Sequence, residues 1–174
     1  MITQAKLKEL LTYHPDTGLF YWKRPGKGRQ FGKPISNISP HGYLRIKLEY
    51  QNYQAHRLAW CWVYGVFPTE LDHKDGNKLN NKIENLRIAT RNQNAANRGV
   101  MANNTSGHRG VCWITRTLRW EANIKFENTR LSKQFTNIDD AVTWYKARAA
   151  ELFGEFARPS DQAENDLPVS CPDA

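Results

Sequence analysis

The sequence predicts an α+β chain made of two small modules, and three observations carry this reading. Residues 70–98 read as strand, polar loop, strand, helix. Residues 109–135 give three strand-like runs separated by turn signals, and a strong helical pattern follows near 137–153. Between them, residues 99–107, GVMANNTSG, have the composition of a linker. The predicted organisation is an N-terminal helix and strands with a basic loop over 1–54, a central module over 55–98, the linker, a second module over 108–157, and a disordered acidic tail over 158–174.

In order along the chain, residues 3–12 read as a helix. Thr3 caps its start, and Leu7, Leu10 and Leu11 fall on one face. Asp16-Thr17-Gly18 is a turn before a short aromatic strand from Leu19 to Trp22. Residues 24–41, rich in Gly, Pro, Arg, Lys and Ser, form an exposed basic loop. Alternation predicts a strand over 43–48 and another beginning near 52. The run HRLAWCWVY, 56–64, is a buried helix presenting Leu58, Ala59, Trp62 and Val63, stopped at Gly65 and Pro68. Thr90 caps the helix that bears Asn94. In the second module the helix begins at Thr136, with Asp139 three residues on in the manner of a capping box.

Hydrophobic residues make up 40% of the 174-residue chain, enough for a core. No stretch approaches the roughly 20 apolar residues of a membrane span, and the N-terminus lacks the apolar run of a secretory signal. Cys61, Cys112 and Cys171 are isolated in sequence. They form no ligand set for a structural zinc and no disulfide framework, so a cytoplasmic setting is expected. The formal net charge is +8. The last seventeen residues hold four acids against Arg158 alone, which leaves 24 basic and 13 acidic side chains in residues 1–157. Such a surface draws in polyanions through counterion release.

The chemistry centres on LDHKDGNKLNNKIENLRIATRNQNAANRG, residues 71–99. Hydrolysis of a phosphodiester needs a base for water and a cation at the leaving oxygen. His73 is the natural base near neutral pH. One carboxylate plus one amide, as in Asp72 and Asn94, suits a weakly held magnesium or manganese whose shell is completed by water and phosphate. Asn85 is the candidate for orienting His73 through a hydrogen bond. Asp75 and Asn77 read as turn residues. Arg87 is a candidate phosphate contact, and His56 a possible accessory residue that also has a purely structural reading.

At these residues the sequence resembles the HNH endonucleases, specifically the phage-borne homing-endonuclease branch with Asn at the third motif position. The residues that carry the resemblance are Asp72-His73, Asn85 and Asn94, together with DHKDGN, NN, ENLR and the upstream AHRLAW run, and they cover most of 42–98. The resemblance implies a ββα-metal nuclease core, His73 as general base, Asp72 and Asn94 as metal ligands, and Asn85 orienting His73.

The segments SGHRGVCW, RWEANIKF and AVTWYKARAAELFGEFA, within 106–156, resemble the Apetala-type (ethylene-response-factor) DNA-binding domain, a three-stranded antiparallel sheet on one helix. Strand periodicity independently assigns faces. Trp120, Ala122, Ile124 and Phe126 form the apolar face of the second strand, joined by Leu131 and Phe135 of the third. Ala141, Val142, Tyr145, Ala149 and Leu152 cover that face. The opposite face is polar and basic. The resemblance implies that it reads DNA, with Arg109, Arg116, Arg119, Asn123, Lys125 and Arg130 as contacts. The plant pattern usually has Arg where this sequence has Cys112 and Ile114, which separates strand one from that pattern of base readout.

Together these readings predict a monomeric, magnesium- or manganese-dependent endonuclease acting on double-stranded DNA in the cytoplasm, the host's if the gene is phage-borne, with no obligate protein partner. Two alternatives are a DNA-binding regulator with an inactive nuclease site and an RNA-binding accessory protein. The presence of every expected catalytic residue type disfavours the first. The absence of an RNA-recognition signature disfavours the second.

Overall fold

Thr3 opens the first helix: its side-chain oxygen accepts from the Lys6 amide at 3.2 Å, satisfying one orphan donor of the first turn. The helix, α1 (Gln4–Leu10), buries Leu7. It ends earlier than the sequence predicts, because Leu11 begins a strand. β1 (Leu11–His14) pairs antiparallel with β2 (Leu19–Trp22), with Tyr13 opposite Phe20. These two rings stack at 4.6 Å. The computed structural model describes residues 1–100 and 103–158, so the predicted disordered tail lies almost entirely outside the described residues. The chain divides into two units, Met1–Thr90 and the residues from Arg91 onward.

In the first unit β3 (Arg45–Leu48) and β4 (Gln51–Gln54) form a second hairpin. Its turn places Glu49 and Tyr50 at positive φ. α2 (Ala55–Tyr64) follows directly and stops at Gly65, whose left-handed φ of 77° closes the helix with a bond back to Cys61. Its buried residues are Ala55, His56, Leu58, Ala59 and Cys61, whereas Val63 is exposed. The inward face is thus rotated from the predicted one towards Cys61. Leu7, Leu11, Phe20, Ile46, Leu58 and Cys61 form the fully buried centre. A third hairpin pairs β5 (Leu71–His73) with β6 (Leu86–Ile88), and a turn of 3-10 helix at Ile83–Asn85 enters the second strand.

The second unit begins with α3 (Arg91–Ala96). The predicted boundary after residue 98 therefore differs from the division in the fold, which assigns α3 to the C-terminal part. The reason is local: Arg109 donates to the carbonyls of Ala95, Ala96 and Arg98, and Arg158 to that of Asn97. These are the orphan acceptors at the end of a short helix. β7 (Val111–Ile114), β8 (Arg119–Phe126) and β9 (Thr129–Phe135) form one antiparallel sheet in that order. α4 (Ile138–Phe153) packs on it, and Val111, Ala122 and Ala141 form the buried centre with Trp120, Phe135 and Tyr145 around it. The α4 cap is Asn137, which accepts from the Asp139 amide at 2.9 Å, and not Thr136 as the sequence predicts. Ala122 and Ile124 are buried while Arg119 and Lys125 are exposed, as the alternation predicts; Leu131 is more exposed than expected. The architecture is α+β, helices with small antiparallel sheets. No helix among the described residues is long and apolar enough to cross a membrane.

Candidate active site

Asp72 and His73 close β5, a strand buried at all three residues. The hairpin register sets Asp72 opposite Arg87, and His73 opposite Leu86. Arg87 Nε and Nη2 both donate to Asp72 Oδ2, at 2.9 and 2.7 Å. The two side chains are 11% and 8% exposed, so this is a buried ion pair. Arg87 is thereby committed inward, which corrects its expected role as a phosphate contact: a guanidinium opposite a buried carboxylate is drawn to it in preference to solvent.

The loop from Lys74 to Asn85 is tied by side-chain amides. Asp75 Oδ1 accepts from the Asn77 amide and from Asn85 Nδ2, and Asp75 Oδ2 accepts from Asn80 Nδ2 at 2.6 Å. Asn85 Nδ2 also donates to the Asn80 carbonyl, and Asn85 Oδ1 accepts from the Asp75 amide. Both amide protons and the oxygen of Asn85 are therefore spent across the loop. It locks the two ends of the loop together and does not reach the His73 ring, a correction to the expected orienting bond. The group beside that ring is Asn81, whose Oδ1 lies 3.5 Å from His73 Nε2. Asn81 is buried to 1% exposure. No sequence signal distinguishes it from its neighbour Asn80; only the fold does.

Three rings converge here. His73 lies 5.0 Å from His56 and 6.1 Å from Tyr43, and Tyr43 lies 5.2 Å from His56. Lys78 sits over the Tyr43 ring and donates to the His41 carbonyl. Burial holds the His73 imidazole below its ordinary pKa, opposed by Asn81, Asp75 and Asp72. Burial, with His73 and Arg57 adding to it, pushes His56 down to about 3. Both rings are neutral near pH 7, and His56 Nδ1 is buried with no hydrogen-bond partner among the described residues. The His56 ring packs against those of His73 and Tyr43.

Asn94 lies on α3, in the second unit. Of the predicted DNA contacts there, Arg109 is an internal strut on the α3 carbonyls, a correction that follows from its partly buried position. Arg116 lies in the β7–β8 turn, exposed; Arg119 and Lys125 are exposed on β8; and Asn123 is half-buried on the same face. Arg130 is exposed and paired with Glu121 at 3.2 Å. Trp113 packs edge-on against Trp120 at 5.1 Å.

A short antiparallel hairpin ending in Asp-His, bridged by an Asn-rich loop and followed in the chain by a helix, defines a ββα nuclease-type site. The HNH endonuclease family matches residues 53–96, the stretch that holds it. The chain belongs to that family. It is 31% identical over 111 residues to Protein 3.8 of Escherichia phage T7, an alignment covering 63% of this chain and 92% of the phage protein. It is 36% identical over 110 residues to a protein of Acanthamoeba polyphaga mimivirus named as HNH endonuclease L560, covering 62% of this chain and 57% of that one. It is 39% identical over 101 residues to the SPbeta prophage-derived YosQ of Bacillus subtilis (strain 168), named as an HNH homing endonuclease, covering 52% and 54%. The chain thus spans little more than half the length of the last two. No solved structure matches it.

Proposed function

We propose that this protein is a divalent-metal-dependent endonuclease of the homing type, acting on double-stranded DNA in the cytoplasm. The observation that carries the reading is the buried Asp72-His73 pair at the end of β5, with the carboxylate braced by Arg87 and the imidazole kept neutral. A neutral imidazole is the form able to take a proton from water. His73 is the general base in this reading. Asn85 serves it indirectly, by holding closed the loop that follows the strand.

The donor set fits a hard ion. Among the described residues no three of His, Cys, Asp and Glu gather as a metal cluster. A single carboxylate with an amide oxygen suits magnesium or manganese, which keep most of their water, and does not suit zinc. Asp72 would hold the ion; Asn94 is offered as a second ligand by the motif resemblance of the sequence alone. Such an ion supplies positive charge to the scissile phosphate and its leaving oxygen. The second unit has no equivalent of the Asp72-His73 pair on its sheet. Its polar face, with Arg116, Arg119, Asn123, Lys125 and Arg130, supplies affinity and register on DNA, in keeping with its resemblance to the Apetala-type domain. As a monomer with one site, the protein cuts one strand per binding event.

The test is incubation of supercoiled plasmid with the protein and magnesium or manganese, with and without EDTA. Nicked circles that appear only without chelator are the expected result. Cutting that persists in saturating EDTA would remove the metal from the reading.

A further inference from the structure

The three sides of Asn81 are each fixed by something else in the first unit. Its Nδ2 donates to the Leu79 carbonyl at 3.0 Å. Since that bond requires the nitrogen on the Leu79 side, the oxygen faces His73 Nε2. Its carbonyl accepts from the Tyr13 hydroxyl at 2.7 Å. Behind it, the β1–β2 turn presses on the loop backbone: the Ile83 amide donates to the Pro15 carbonyl at 3.1 Å. A Cβ at Gly18 would stand 2.5 Å from the Lys82 nitrogen and 2.6 Å from the Asn81 carbonyl carbon. Gly18 also has a φ of +73°. Only glycine permits this approach at this backbone angle. The Asn81 amide is therefore a fixed acceptor aimed at one ring nitrogen. An oxygen acceptor at Nε2 selects the tautomer that carries its proton there, which places the lone pair on Nδ1.

We propose that Asn81, seated by Tyr13 and the Gly18 turn, is the positioning residue that fixes the proton of His73 on Nε2 and so makes Nδ1 the basic nitrogen. This rests on His73 being the base in the reading above. It adds that the first hairpin of the chain, far from the motif in sequence, sets the tautomer of that base.

The experiment is a long-range proton–nitrogen correlation spectrum of the imidazoles in the full-length, 15N-labelled, EDTA-treated protein, alongside cleavage kinetics. Wild type is expected to show His73 as a single Nε2-protonated tautomer. Asn81→Leu, similar in size but without an acceptor, is expected to give a mixture and to lower kcat by about 10- to 100-fold with little change in KM, the size of effect seen when a ligand or base loses its orienting partner. Asn81→Asp, which keeps an acceptor, should restore the wild-type tautomer. A His73 protonated on Nδ1 in wild type overturns the proposal, whether or not any variant folds. So does a folded Asn81→Leu protein with an unchanged ring spectrum. A shifted tautomer with unchanged cleavage would remove His73 from the reaction and leave the role of Asn81 standing.

Discussion

Asp72 and Arg87 stand directly opposite one another across the β5–β6 hairpin, with Arg87 Nη2 2.7 Å from Asp72 Oδ2 and both side chains nearly excluded from solvent. Removing the Arg87 guanidinium deletes two hydrogen bonds to a buried carboxylate, and hydrogen bonds to charged groups contribute about 1.5–3 kcal/mol. Arg87→Ala is therefore expected to destabilise the metal-free protein by that amount in urea denaturation. Because the Asp72 carboxylate is the proposed ion ligand, magnesium should recover part of the loss by binding the folded state. A loss below about 1 kcal/mol would mean that the pair is not held in solution as it is here.

His73→Ala should leave DNA affinity near wild type and slow cleavage by about 10²–10⁴-fold, the contribution of a positioned base. Binding is read by titration in the presence of calcium, and cleavage with magnesium. Near wild-type cutting would place the base elsewhere.

Stability should fall in acid because of His56. Its pKa is about 3 in the folded protein against 6.5 ordinarily. Above about pH 6.5 neither state binds the proton and the group contributes nothing. Below it only the unfolded chain does, so stability is lost at about 1.4 kcal/mol per pH unit until the folded value is approached. His73, also lowered by burial, acts in the same direction. Between pH 6.5 and 5, the slope for His56→Asn should be shallower than for wild type by about half a proton at the upper end, rising to about one at the lower. Parallel slopes would show that His56 is not buried neutral.

Arg109→Ala should act on stability rather than on DNA. Its guanidinium bonds to three carbonyls at the end of α3, and hydrogen bonds to charged groups contribute about 1.5–3 kcal/mol each in context. The thermal midpoint should drop, with the salt dependence of DNA binding unchanged. Arg119→Ala and Lys125→Ala should do the reverse, each reducing the slope of log affinity against log salt by about one where the side chain neutralises a phosphate. A salt slope altered by Arg109→Ala alone would exchange these assignments.

The strand-loop-strand-helix order, the Asp-His placement and the sheet-on-helix second unit are all legible in the sequence, because each is written in local periodicity and turn residues. What is not legible depends on pairing at a distance. Leu11 looks helical until β2 is present to pair with it. Arg87 looks like a surface cation, although counting the hairpin register outwards from the loop would have set it opposite Asp72. Asn85 and Asn81 differ only in which partner the folded loop presents to each. Arg109 occupies a strand-like stretch whose periodicity says nothing of the helix end it caps.

The loop over residues 24–34 is mostly exposed and has the Gly- and Pro-rich composition of a dispensable connector. It looks like a seam at which a recombined gene would exchange one N-terminal part for another. The close approach of Gly18 to Asn81 and Lys82 argues otherwise. A chimera spliced within that loop would set a foreign turn against the backbone beside the histidine, and any side chain at the glycine position would push the loop away. Residues 1–90 thus fold as one unit, in which the loop accepts change along its length but the segments on its two sides must match each other.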